Sequence, residues 1–309
     1  MLASPSILRA QGARSIRVVV PFPPGGGVDV FARPFSAALS TVLGQPVVVE
    51  NIGGASSRLG NAAVARAPGD GLTLLVTNDT LAAVEALPIA GSPPALPQLV
   101  PVLRAAASPH IIVTGARSDI ADIAGYVARL RDPARWPNHA VPGLSTAHHF
   151  ASALLWQAVG GQAEVVPYRG GGPIIAELIS GTVDAALLTL STAIAQVQAG
   201  QLRGLAVTSA TRAAAVPDVP TIAETVSPGF EVTTWMGVLA PGATPPETVA
   251  RLHQAGQVAL RDPALRDRLA AVGFDPLAES QEAFAALLRA TVERFAVVAH
   301  EAGIRGDAS

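Results

Sequence analysis

The sequence predicts an α/β protein of two lobes, each built on a mixed, largely parallel sheet. Three observations predict it. Short apolar runs alternate with amphipathic stretches of helical spacing, the signature of strands joined by crossover helices. The alternation breaks in a Pro-rich stretch at 88–101 and restarts after about residue 140. A length of 309 residues is more than one hydrophobic core usually serves.

Each element follows from its residues. Ile16 to Val20 (IRVVV) is a buried strand ending at Pro21. Pro23 to Gly27 is a loop, and the segment 28–43 carries Phe31, Phe35, Leu39 and Val42 at helical spacing, closed by Gly44. Segment 46–50 is a second strand, 51–60 a Gly/Ser loop, 61–66 a helix and 72–76 a third strand. Residues 111–114 read as a strand, and 120–130 as a helix with Asp119 and Asp122 at its start, where the helix dipole favours acids. After the restart come loop 142–146, helix 148–159, strand 164–166, loop 167–172, helix 173–180, and strands 184–188 and 204–207. Strands at 231–234 and 237–240 precede helices 246–260, 263–272 and 281–302. Segment 135–141 (RWPNHAV) does not read as a buried strand.

Composition excludes several chemistries. All 21 basic side chains are Arg, so there is no Schiff-base or P-loop lysine. There is no Cys, hence no thiol catalysis, thiolate metal site or disulfide. A net charge of −2 lacks the basic face that nucleic acid requires. Hydrophobic residues make up 50% of the chain, yet no run of about 18 apolar residues would span a bilayer. Residues 1–15 (MLASPSILRAQGARS) read as the tail of a signal peptide or as a disordered extension.

Four loops carry the chemistry: 22–27, 53–57, 143–146 and 168–172. A Gly-rich turn opening a helix leaves backbone N–H groups free at the positive end of the helix dipole, and so forms an anion site. Any one of them alone reads as an ordinary tight turn. Four together, at the carboxyl ends of strands, point to a crevice for a carboxylate. The segments VPFPPGGG (20–27) and VPYRGGG (166–172) echo each other chemically, one in each half. Asp29 in the first helical turn suits a capping role, or receives a ligand's ammonium or hydroxyl. Arg169 is the basic side chain nearest a cleft loop, or a solvated surface group; Trp235 is cleft wall or core. Adjacent His148 and His149 lack metal-pair spacing, and His148 reads first as a polar residue near a helix start. Gly143-Leu144-Ser145-Thr146-Ala147 falls one residue short of a nucleophile elbow, which leaves a serine hydrolase as a minor rival.

The chain resembles the substrate-binding proteins of tripartite tricarboxylate transporters, the TctC or Bug family. The resemblance runs from about Ile16 to Ile304. It is carried by IRVVVPFPPGGGVDVFAR (16–33), GQPVVVEN (44–51), APGDGLTLL (67–75) and VPYRGGGP (166–173). AGQLRGLAVTSATR with PDVPTIAE (199–224) and WMGVLAPGATP (235–245) complete the match. The resemblance implies a periplasmic, type II Venus-flytrap receptor that is not an enzyme. It implies lobe 1 from 16–115 plus 235–309 and lobe 2 from 116–234, no cofactor and no metal, and a monomer. The partners implied are a small organic acid (a di- or tricarboxylate, acidic amino acid or aromatic acid) and membrane permease subunits, with a sensor system as an alternative listener. Carried over by motif, the ligand contacts are Phe22, Gly25, Gly26, Gly27, Asp29, Ser56, Thr77, Asn78, Ser145, Thr146, His148, Tyr168, Arg169 and Thr189. The chain departs from the family at Leu188-Thr189, where Asp-Asn is frequent, at Arg169, where Lys is common, and around 85–100.

Overall fold

In the computed structural model, residues 14–89 and 92–305 are described. Most of the 1–15 segment therefore lies outside the described residues. Strand β1 (Ile16–Val20) is almost wholly buried, as its apolar run requires. Helix α1 (Gly27–Leu43) buries Phe31, Phe35 and Leu39 and ends at Gly44, whose left-handed φ of 64° suits glycine. Then come β2 (Val47–Asn51), α2 (Arg58–Ala65), β3 (Thr73–Asn78) and α3 (Thr80–Ala86). Strand β4 (Leu99–Gly115) is 17 residues long, so the strand expected at 111–114 is only its tail. It tolerates Pro101 because its register against the neighbouring strand shifts there, and a bulge asks for no proline N–H.

The second half repeats the rhythm: α4 (Ile123–Leu130), β5 (Asn138–Val141), α5 (Ala147–Val159), β6 (Glu164–Pro167) and α6 (Gly171–Ser180). It continues through β7 (Ala185–Thr189), α7 (Leu190–Gln198), β8 (Leu202–Val207) and α8 (Ile222–Thr225). The chain then returns along β9 (Thr233–Pro241) and ends with α9 (Pro246–Arg261), α10 (Pro263–Ala271), β10 (Asp275–Pro276) and α11 (Gln281–Ala302). Two expectations are corrected. Segment 138–141 is a strand, and its buried His139 is satisfied by the Tyr126 hydroxyl at 2.7 Å and by Ser152 at 3.0 Å. The strands expected at 231–234 and 237–240 are one strand, β9.

The strand order is β2-β1-β3-β9-β4-β7-β5-β6, with β8 and β10 also on β4. Each half has a parallel trio, β2-β1-β3 and β6-β5-β7. Antiparallel β9 and β4 link the trios, paired from Leu99–Pro241 to Pro109–Thr233. By position in the trio, β1 corresponds to β5 and β2 to β6. The echoing segments 20–27 and 166–172 therefore follow non-equivalent strands, so their likeness is chemical and not that of a duplicated unit.

Each half has apolar layers on both sheet faces. Phe31 and Phe35 stack at 5.3 Å under α1, and Trp235 meets Phe284 of α11 edge-on at 5.1 Å. Trp235 is thus core and not cleft wall. In the second half, Tyr126, Leu155 and Leu187 fill one face, and Ile174, Leu178 and Ile194 the other. A further cluster joins the halves: Ala82 and Ala83 of α3, Phe150 of α5, and Phe295 and Val298 of α11.

Candidate functional site

A crevice opens between the two trios at the carboxyl ends of their strands, where α/β sheets place ligands. It has an inner chamber of about 40 Å3 and an adjoining outer mouth of about 670 Å3, which share Phe22, Pro23, Pro24, Pro142 and Gly170. The walls of the chamber include Val28, Leu188 and the proline rings, with Asn78, Thr146, His148, Thr189 and Thr192 as the polar side chains.

Four helices begin at this chamber. Their N-cap residues are Gly26 for α1, Thr146 for α5, Gly170 for α6 and Thr189 for α7, and all four line it. The first turn of each helix has N–H groups without intrahelical partners, and the dipoles add positive potential. Among the described residues, no acidic side chain lines either part, and Arg169 at the mouth is the only formal charge. Such an arrangement can hold an anion without a buried cation.

Local chemistry fixes each loop. Pro21 ends the ladder of β1, and Gly25 takes a left-handed φ of 83°. The Gly25 N–H donates to the Asp29 carboxylate at 3.0 Å, Arg33 donates to it at 2.8 and 2.9 Å, and the Asn51 amide donates to it at 2.9 Å. Asn51 also donates to the Phe22 carbonyl at 3.0 Å, which ties the loop to β2. Burial opposes ionisation of Asp29, but these hydrogen bonds and the Arg33 charge outweigh it and hold the carboxyl below its usual range. Asp29 therefore stands behind the loop and supports it, outside the crevice lining. Asp29→Ala is expected to cost about 1–3 kcal/mol, because the loop loses hydrogen bonds to a buried, charged acceptor. Urea unfolding measures this, and an unchanged midpoint would show that water replaces the carboxylate.

Across the chamber, Thr146 caps α5 and donates to the Gly143 carbonyl at 2.9 Å. His148 shares a hydrogen bond with Thr189 at 3.0 Å. Burial depresses His148 to about 4, so the imidazole is neutral at neutral pH. The Asn78 side-chain oxygen accepts from the Thr80 N–H at 3.1 Å, and Asn78 lines the chamber.

The halves touch around the crevice. The Ser56 hydroxyl donates to the Leu144 carbonyl at 2.6 Å, and the Ala147 N–H donates to Thr80 at 3.2 Å. Ala55, Ser56 and Ser57 all have positive φ (46°, 50° and 79°), a run of about 1 kcal/mol or more of strain per residue.

Of the residues expected to meet ligand, Phe22, Gly26, Gly27, Asn78, Thr146, His148 and Thr189 line the chamber. Ser56, Tyr168 and Arg169 line the mouth. Gly25, Asp29, Thr77 and Ser145 line neither. Thr77 is fully buried in β3, where it alternates with the chamber residue Asn78, and lies outside both linings. The Ser145 hydroxyl donates to the Arg305 carbonyl at 3.2 Å, outside both linings; His149 Nδ1 accepts from the Ser145 N–H at 3.4 Å and not from the hydroxyl, so the serine–base pair of a hydrolase is not formed. Pro142, Leu188 and Thr192 complete the chamber. Thr192 went unforeseen because α7 follows β7 without a Gly or Pro break; the spacing of Leu190, Ala193, Ile194 and Val197 before Gly200 was its signal.

Among the described residues, no group of three or more His, Cys, Asp or Glu side chains could hold a metal. None of their helices is long and apolar enough to cross a membrane.

Residues 31–304 match the family described as tripartite tricarboxylate transporter family receptor. A Pseudomonas sp. (strain P51) relative, the UPF0065 protein in the tcbD-tcbE intergenic region, is 38% identical over 93% of this chain and 86% of its own length. Protein BugT of Bordetella pertussis is 31% identical over 98% of this chain and 94% of its own. Among solved structures, the periplasmic binding protein BugD superposes with a TM-score of 0.88 at 29% identity, covering 94% of this chain and 98% of that one. Rhodopseudomonas palustris Rpa4515, solved with adipate, gives 0.88 at 29% identity over 96% and 99% of the two chains. MatC from the same organism, with bound malate, gives 0.84 at 29% identity over 92% and 98%. By both sequence and architecture, the chain belongs to the tripartite tricarboxylate transporter receptor family, whose members are solute-binding proteins and not enzymes.

Proposed function

We propose that this receptor captures a small organic carboxylate in the crevice, works as a monomer in the periplasm, and delivers its ligand to a tripartite tricarboxylate-type permease. The observation that carries the reading is the convergence of four helix N-termini on one chamber free of acidic side chains. Malate in MatC and adipate in Rpa4515 support it. The chain would divide into lobe 1 (16–115 plus 235–309) and lobe 2 (116–234), moving about β4 and β9. Ligand would bridge the lobes and stabilise the closed form, which the permease reads. The chamber residues Phe22, Gly26, Gly27, Asn78, Thr146, His148 and Thr189 would hold the carboxylate through N–H groups and hydroxyls, with Ser56, Tyr168 and Arg169 at the mouth.

A thermal-shift screen over di-, tri- and aromatic carboxylates tests this. A ligand at 100 times its Kd adds about 2.7 kcal/mol to native stability, or roughly 5 °C in a chain of this size. A panel without a single shift would refute the carboxylate reading.

A further inference from the structure

We propose that the crevice selects carboxylates that carry no ammonium group, and that Leu188 sets this selection. The proposal rests on the carboxylate reading above and narrows it to a ligand class.

A charge census of the chamber is its basis. An amino acid brings an ammonium with three donors and no acceptor capacity, and burying it requires a carboxylate or several well-placed oxygens. Among the described residues, no acidic side chain faces the chamber or the mouth. The nearby carboxylates are committed elsewhere. Asp29 receives donors from Arg33, Asn51 and Gly25 behind the first loop. Asp79 is buried and accepts from the Thr234 hydroxyl at 2.6 Å. The chamber hydroxyls of Thr146, Thr189 and Thr192 offer only neutral oxygens, which carry no counter-charge for an ammonium; Thr146 also donates to the Gly143 carbonyl, and Thr189 is bonded to His148.

The helix ends act in the same direction. Four N-termini supply positive potential that attracts a carboxylate and repels an ammonium beside it. For an amino acid, the field that holds one end therefore works against the other. A hydroxy acid or an unsubstituted acid pays neither penalty, since a hydroxyl donates one hydrogen bond and also accepts.

Leu188 is the position that decides. It is the penultimate residue of β7, is 1% exposed, and lines the chamber. Its side chain lies over the first turn of α6, with Cδ2 at 3.7 Å from where a Cβ on Gly171 would stand. An isobutyl group there offers a cation nothing. A carboxylate on the same stem would sit at the positive end of α6 and face the chamber, where it would supply the missing counter-charge.

The experiment is calorimetric titration of the full chain with matched pairs that differ only at the α-carbon: succinate, malate and aspartate; glutarate and glutamate; adipate and 2-aminoadipate. Each amino acid is expected to bind at least about 100-fold more weakly than its unaminated partner. Leu188→Asp is expected to narrow or reverse that ratio, and Leu188→Asn, which adds no charge, to leave the preference in place. If unaminated acids bind and an amino acid binds equally well or better, the selection is refuted while the carboxylate reading stands. If no member of any pair binds, and the wider carboxylate panel is also silent, the carboxylate reading itself falls and the selection with it. The wild-type comparison decides the matter even if Leu188→Asp does not fold.

Discussion

Gly27→Val is expected to weaken ligand binding by about 10- to 100-fold while the protein still folds. Gly27 is the first residue of α1 and has ordinary helical backbone, so a side chain there strains nothing locally. The obstacle is across the crevice. A Cβ at Gly27 would lie 3.0 Å from the Thr189 Cβ, 3.1 Å from its Cγ2 and 3.1 Å from the Ser191 hydroxyl. Those atoms belong to the opposing half, so an added branch wedges the halves apart without disturbing either core. Gly26 differs, since a Cβ there meets only the Pro23 carbonyl at 3.8 Å. Titration with whichever acid the screen identifies measures the loss, and circular dichroism checks the fold. Undiminished affinity would show that the approach of α1 to Thr189 plays no part in holding the ligand.

Acid should unfold this protein earlier than its neutral-pH stability suggests, with the melting temperature falling between pH 6.5 and about 4.5. Four buried histidines cause it. Burial, aided by the neighbouring His149, lowers His139 to about 3; burial lowers His148 and His149 to about 4; and burial with the nearby His148 lowers His110 well below its usual range. Each stays neutral in the folded chain but takes a proton near pH 6.5 when unfolded. Its contribution is therefore complete above that pH and is lost as pH falls toward the folded value. Two carboxyls act oppositely. Burial raises Asp79 to about 7 and also raises Glu85, so the folded state holds protons there that the unfolded state releases. Four rings gain a proton on unfolding and Asp79 loses one, with Glu85 subtracting further, so the net uptake is about two to three protons, or roughly 3–4 kcal/mol per pH unit and on the order of 5 °C. Melting curves across this range test it; a flat profile would mean that these rings take up protons without unfolding.

Much of the architecture was legible because apolar runs and helical periodicity survive wherever burial is one-sided or complete. β1, α1, α9 and α11 follow directly from their patterns. β5 was hidden because its buried face carries His139, a polar residue that only Tyr126 and Ser152, distant in sequence, make tolerable. α7 was hidden because it follows its strand directly with no turn residue between, and α3 because only Asp79 separates it from β3 and it runs just seven residues. At the site, glycine and hydroxyl residues announced the loops, yet not the direction of each side chain. Asp29 and Ser145 stand beside the crevice and outside its lining, Asp29 because Arg33 one turn on captures it, and Ser145 because the Arg305 carbonyl accepts its hydrogen bond. Such long-range partners leave no trace in local spacing.

The placement of Trp235 supplies a built-in optical probe. Its indole lies on one of the two strands that connect the halves, pressed edge-on against Phe284, with its N–H unpartnered among the described residues. Bending of that ribbon would alter the local polarity and ring contacts, and with them the emission maximum and quantum yield. Replacing Trp136 and Trp156 by phenylalanine would leave a single emitter, so ligand exchange becomes measurable by stopped-flow fluorescence without an attached dye.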